Sequence, residues 1–233
     1  MAVNWQIMAT ATVCRLEFEH LCERNKFLDE SALVRTCVEH LQARTTYAIY
    51  AEVHHDDLPG DQRLDAMGQD PRQSNIGFVL EAKWLKSDGG TRDWPKEITH
   101  DIVRLEMLSQ NMVTATDRAL VIAGHHTTLE AFKRRKIQSG RGSLILFPHI
   151  LQDHDTTGSL PYNQERRGIR DCDNGLRNFW KRMENQLNIA LAVSYQVSLA
   201  GHFKATDRSD AIEAYVWNIR RSRNRSTFST SLW

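Results

Sequence analysis

The stretch IGFVLEAKWLK, residues 76–86, sets a glutamate and a lysine two positions apart in a run of apolar and aromatic residues. On an extended chain successive side chains alternate, so Glu81 and Lys83 share one face while Phe78, Leu80, Ala82 and Trp84 take the other. Their α-carbons then lie roughly 6.5–7 Å apart, and both side chains can reach one ligand. Such a pair can grip a charged substrate, or it can be an ion pair on a half-exposed strand. Asp65 favours the first reading. It sits among Leu64, Ala66 and Met67 in RLDAMG, a short strand just before the turn into residues 76–86. Pairing these strands brings Asp65 close to Glu81. Two carboxylates so near each other repel unless a cation lies between them, and hard oxygen ligands of this kind suit Mg²⁺.

The elements that must position these residues follow from periodicity and turn signals. Residues 5–25 are expected to form a helix with Ile7, Ala11, Cys14, Phe18 and Leu21 on its apolar face. NKFLDES breaks it and offers Asp29 or Ser31 as a cap for a second helix over about 30–44, whose stripe is Leu33, Val34, Cys37, Val38 and Leu41. TTYAIYAEVHH, RLDAMG and IGFVLEAKWLK, joined by polar turns, read as an antiparallel meander. Pro95 then opens a helix striped by Ile98, Ile102, Leu105, Leu108 and Met112. RALVIAG is apolar throughout, as a strand covered on both faces would be. A basic helical piece, LEAFKRRKIQ, leads to the apolar strand GSLILFP, and residues 152–175 form a long polar loop. A helix over Leu176–Asn188 precedes a strand alternating Leu191, Val193, Tyr195, Val197 and Leu199, with which AIEAYVWNIRR can pair. The expected fold is therefore α/β, a mixed central β-sheet flanked by helices.

Glu30 projects in line with Val34, Cys37 and Leu41, whereas Glu39 points almost opposite. A glutamate at the inner edge of a core-facing stripe needs a partner, which a metal site at the sheet edge would provide, or it stabilises the positive end of its own helix. A helix with an inward glutamate, a three-stranded meander, an aspartate on the second strand, E-x-K on the third, then a helix and an apolar strand: this order resembles the PD-(D/E)XK nuclease superfamily. The resemblance covers roughly residues 28–124 and rests on short motifs and their order. Leu64 stands where the family often has proline.

The resemblance implies a restriction-endonuclease-like core over 28–124, an N-terminal helix in 1–27 and accessory elements with additional C-terminal strands in 125–233, all in one domain. It implies a metal-dependent nuclease that hydrolyses phosphodiester bonds, an endonuclease on DNA. Asp65 and Glu81 would hold Mg²⁺ or Mn²⁺ together with the carbonyl of Ala82. Lys83 would activate the attacking water and stabilise charge on the phosphate, and Glu30 would match the accessory helix acid. Two alternatives stand beside it: a non-catalytic member of the fold that binds nucleic acid or protein, and a metal-dependent hydrolase with another substrate.

A nuclease needs a surface for phosphates. Lys133, Arg134, Arg135 and Lys136, with Arg141 following, and Arg220, Arg221 and Arg223 in the last strand and its tail, are the candidates. Arg166, Arg167 and Arg170 in the polar loop form a further set. Paired copies, a homodimer, would suit a double-strand cut. His54 and His55, His125 and His126, and His154 between Asp153 and Asp155 lack the helical spacing of a zinc site and read as turn or strand-end histidines.

Composition is that of an ordinary globular protein, 41% hydrophobic and 25% charged with a net charge of +1, so any anionic partner must be met by local clusters. No apolar run is long enough to span a bilayer and no secretory leader is evident, so a cytoplasmic protein without membrane contact is expected. Cys14, Cys22, Cys37 and Cys172 form no CxxC pair, and are expected to act as small core residues.

Overall fold

A computed structural model describes residues 3–55, 63–86, 94–108, 112–133, 136–139, 142–145, 156–159 and 194–221. The chain begins with helix α1 (Trp5–Leu21), capped by the Asn4 side chain accepting from Ile7 N at 3.0 Å. After a 3-10 turn comes α2 (Glu30–Arg44), where Asp29 is the cap, accepting from Ala32 N at 2.8 Å. Strands β1 (Ala48–His54), β2 (Arg63–Gln69) and β3 (Ile76–Leu85) form the expected antiparallel meander. Helix α3 (Trp94–Met107) then carries the chain to β4 (Met112–His125), which pairs parallel to β3. A parallel pair needs such a crossover, and α3 supplies it among the described residues. Met112, expected at the end of the α3 stripe, instead opens β4.

Helix α4 (His126–Lys133) follows, then β5 (Lys136–Ser139) and β6 (Gly142–Ile145), which pair only with each other. The apolar GSLILFP therefore contributes to a separate hairpin and not to the central sheet. Strand β7 (Thr156–Ser159) lies within the stretch expected to be loop. It pairs with β8 (Ser194–Lys204), and β8 pairs with β9 (Ile212–Arg221). Central-sheet order is β1-β2-β3-β4-β9-β8-β7: six longer strands and a four-residue strand at one edge. The expected helix 176–188, and Leu191 and Val193, lie outside the described residues.

One face of the sheet packs under α1 and α2. Phe78, Leu80, Ala82 and Trp84 of β3, Ala119, Val121 and Ala123 of β4, and Ile212, Ala214 and Val216 of β9 meet Met8, Val13, Leu16, Leu33, Cys37 and Leu41 there. The face of α1 differs from expectation. Trp5, Met8, Ala9, Thr12, Val13, Leu16 and Glu17 are buried, whereas Ile7, Phe18 and Leu21 are more than half exposed. Apolar residues occur nearly all round this helix, and the inner face contains polar groups whose partners are remote in sequence. Glu17 accepts from Arg208 and from Ile212 N, both at 2.8 Å, so its charge is compensated where β9 starts. Cys37 is buried as expected, but Cys14 and Cys22 are exposed, and Cys172 lies outside the described residues.

The opposite face bears Val79, Glu81, Lys83 and Leu85 of β3, with buried Leu120 and Ile122 beside them on β4. Helix α3 covers this side with Trp94, Ile98, Ile102 and Leu105. Among the described residues, no helix is long and apolar enough to cross a membrane.

Candidate active site

The ladder between β2 and β3 runs from Gln69–Ile76 to Ala66–Leu80 and stops there. Beyond that point Asp65 replaces backbone pairing with a side-chain contact, its Oδ2 accepting from Ala82 N at 2.7 Å. On the other side, β1 and β2 pair at Ala51–Ala66 and Val53–Leu64 but skip Glu52 and Asp65. Glu52 adopts φ 51°, a left-handed conformation that costs a non-glycine residue about 1–2 kcal/mol. Asp65 therefore lies where the sheet opens, on the face shared with Glu81 and Lys83.

Helix α3 completes the cluster with two residues absent from the sequence expectation, Asp101 and Arg104. Lys83 Nζ lies 3.2 Å from Glu30 Oε1 and 3.4 Å from Asp101 Oδ2. Arg104 Nη2 lies 3.0 Å from Glu81 Oε1, and Nη1 lies 3.4 Å from Asp101 Oδ1. Nη2 also donates to the carbonyl of Arg63, which the opened ladder exposes. Glu81 and Asp101 are buried, at 1% and 2% exposure. The ion pair to Arg104 leaves Glu81 Oε1 without a hydrogen bond, and the same holds for Asp101 Oδ2 and Glu30 Oε2. The helix acid, for which the sequence suggests a metal-site partner or a helix-end role, pairs here with Lys83.

Electrostatics follow from this packing. Burial, and then the neighbouring Asp101 charge, push the Glu81 carboxyl well above its ordinary value, against the pull of Arg104. Burial likewise raises Asp101 to about 6, although Lys83 and Arg104 oppose it. Burial pulls the Lys83 ammonium down, but Asp101, Glu30 and Asp65 outweigh it and hold it above its usual range. Four carboxylates surround two cations: Glu30, Asp65, Glu81 and Asp101 around Lys83 and Arg104. Fully ionised, the cluster carries two negative charges that no side-chain cation within it balances. Buried, under-bonded carboxylate oxygens with excess negative charge suit a hard divalent cation. Yet among the described residues no three His, Cys, Asp or Glu side chains already form a metal cage. Arg104 contacts Glu81 where a metal would compete for the same oxygen.

Asp101 carried a legible signal that the reading of the α3 stripe passed over. It follows Ile98 by three and precedes Leu105 by four, so it falls on the buried stripe as Glu30 does in α2. Arg104, three residues further on, shares that side.

Of the expected nucleic-acid contacts, Lys133, Lys136, Arg220 and Arg221 lie within the described residues. Lys133 ends α4 with its ammonium 4.2 Å from the centre of the Tyr215 ring, while Lys136 opens β5. Arg220 and Arg221 lie in β9, opposite Gln196 and Tyr195 of β8. Arg134, Arg135, Arg141, Arg166, Arg167, Arg170 and Arg223 fall outside the described residues, as do Asp153, His154 and Asp155. His54 and His125 end strands as expected, but His126, the first residue of α4, is half-buried and pairs with the buried Glu213. No protein-family model, curated protein or solved structure matches this chain.

Proposed function

We propose that the chain is a metal-dependent nuclease acting on DNA, with Asp65, Glu81, Lys83, Asp101 and Glu30 as its working centre. The observation that carries this reading is the charge imbalance at the opened end of the β2–β3 ladder, where carboxylate oxygens are buried without hydrogen bonds. Asp65 and Glu81 would hold Mg²⁺ or Mn²⁺, with the Ala82 carbonyl beside them and Asp101 within the same charge cluster. Bound there, the ion would lower the pKa of a water and offset phosphate charge. Lys83 is held cationic by Glu30 and Asp101, and its ammonium can bind a non-bridging phosphate oxygen and stabilise charge as the pentavalent centre forms. Glu30 keeps Lys83 oriented, and Arg104 bridges Glu81 and Asp101.

A second reading, a non-catalytic binding module, draws on the seat of Arg104 on Glu81 and the absence of a ready three-ligand cage among the described residues. The test is incubation with supercoiled plasmid, single-stranded DNA and RNA in Mg²⁺, Mn²⁺ or EDTA, with Lys83→Met in parallel. Cleavage that needs metal and disappears in the variant supports the nuclease and names its substrate. Folded protein that neither cleaves nor binds either metal favours the module.

A further inference from the structure

A second polar cluster occupies the same face of the sheet, centred on Glu213 of β9, which is 2% exposed. Its Oε2 accepts from His126 Nδ1 at 2.6 Å, and its Oε1 accepts from His202 Nε2 and from the Tyr215 hydroxyl, both at 2.7 Å. Lys133 donates to the Tyr215 oxygen and pairs with Glu130 at 3.4 Å. The His202 ring stacks on Tyr215 with centroids 4.2 Å apart. Burial would raise the Glu213 carboxyl, but hydrogen bonds from His202, His126 and Tyr215 outweigh it and hold the group down to about 2. Glu213 is therefore a fixed anion, and an ionised carboxylate accepts only. Each imidazole must turn an N–H toward it, which fixes both rings and directs His126 Nε2 and His202 Nδ1 elsewhere.

The two histidine side chains are 27% and 40% exposed, so ligands can approach them from solvent. Satisfying Glu213 does not require that exposure. On protonation each outer nitrogen becomes a donor. Lys204, the register partner of Glu213 on β8, stands on the same face, as does Lys133. A protonated ring would add its charge to those of the two lysines on this face. Register sets the distance to the first site. Lys83, Ile122, Tyr215 and His202 form one row across β3, β4, β9 and β8. His202 thus stands three strand spacings from Lys83, roughly 14 Å.

We propose that His126 and His202, oriented by Glu213 and flanked by Lys133 and Lys204, form a phosphate-binding subsite that grips a backbone phosphate further along the strand from the one at Lys83. The identity of that phosphate rests on the nuclease reading; the anion site itself does not. It is tested on the full-length, ¹⁵N-labelled protein in EDTA by following imidazole resonances during titration with inorganic phosphate, then with a short single-stranded oligonucleotide. Chloride at matched ionic strength is the control. The expected result is a saturable shift of the His126 and His202 signals with both ligands, while His20 and His40 stay in place. His202→Asn should weaken phosphate binding about tenfold and reduce the salt slope of oligonucleotide affinity by about 1. His126 and His202 signals that stay fixed, or that move equally in chloride, overturn the proposal, as does unchanged binding by His202→Asn. Metal-dependent cleavage with unmoved histidines removes the subsite and keeps the nuclease. Ligand-shifted histidines without cleavage keep the subsite and remove the nuclease.

Discussion

Replacing Arg104 by methionine probes whether the cluster on β3 is a cation site held closed by a protein cation. Arg104 contacts Glu81 at 3.0 Å and Asp101 at 3.4 Å, and both acids are buried. At an effective dielectric of about 20, the shorter pair alone corresponds to about 5 kcal/mol of Coulomb attraction, before desolvation is subtracted. Deleting one partner of a buried pair costs about 3–5 kcal/mol, because the other charge is left uncompensated. For a chain of this size that lowers the unfolding temperature in EDTA by roughly 6–20 °C at neutral pH. Divalent metal should then do what the guanidinium did. Without Arg104 the same four acids face Lys83 alone, and Glu81 Oε1 is no longer contested. Apparent affinity for Mn²⁺ should rise about tenfold, equivalent to about 1.4 kcal/mol. Thermal unfolding of wild type and variant across a Mn²⁺ series measures both effects, since stabilisation grows as the logarithm of metal over its dissociation constant. Equal unfolding temperatures in EDTA would refute the buried-pair reasoning. A variant that gains no more from Mn²⁺ than wild type would refute the competition between guanidinium and metal.

Lys83→Met should cut metal-dependent cleavage by about 10²–10³-fold, the usual effect of losing one group that stabilises transition-state charge. Mn²⁺ binding, followed by calorimetry, should survive in that variant. In EDTA, stability should fall as pH rises from about 4 to about 6. Asp101 is raised from 3.8 to about 6, so over that window the folded state keeps a proton that the unfolded chain has released. The loss amounts to up to roughly 3 kcal/mol, and Asp101→Asn should flatten it in urea unfolding at pH 4.5, 5.5 and 6.5. Glu213, lowered from 4.5 to about 2, acts with the opposite sign: its contribution is present above 4.5 and disappears as pH falls toward 2. Gly124→Ala should destabilise by about 1–3 kcal/mol, measured by urea unfolding. A β-carbon there would lie 2.7 Å from the carbonyl oxygen of Leu85, a backbone atom of the neighbouring strand that cannot turn aside.

Local grammar is what the residues dictate without reference to the fold. Alternation placed Glu81 and Lys83 on one face of β3 and Asp65 on the neighbouring strand, because a period of two survives whatever the strand packs against. Asp29 was readable as a cap because its carboxylate needs only the amide three residues on. The inner stripe of α2 was readable because its apolar residues stay on one side. Helix α1 has no such contrast, so only its seat on β8, β9 and α2 chose the buried face, with Arg208 and the start of β9 compensating Glu17. The parallel pairing of β3 with β4 decided that α3 lies over Glu81, which brings Asp101 and Arg104 into the cluster. Glu213, His126, His202 and Tyr215 meet for the same kind of reason: β9 inserts between β4 and β8 and joins positions up to 87 residues apart. Local periodicity contains no information on such pairings. They are set by which strands share a ladder and which buried charges then find a partner.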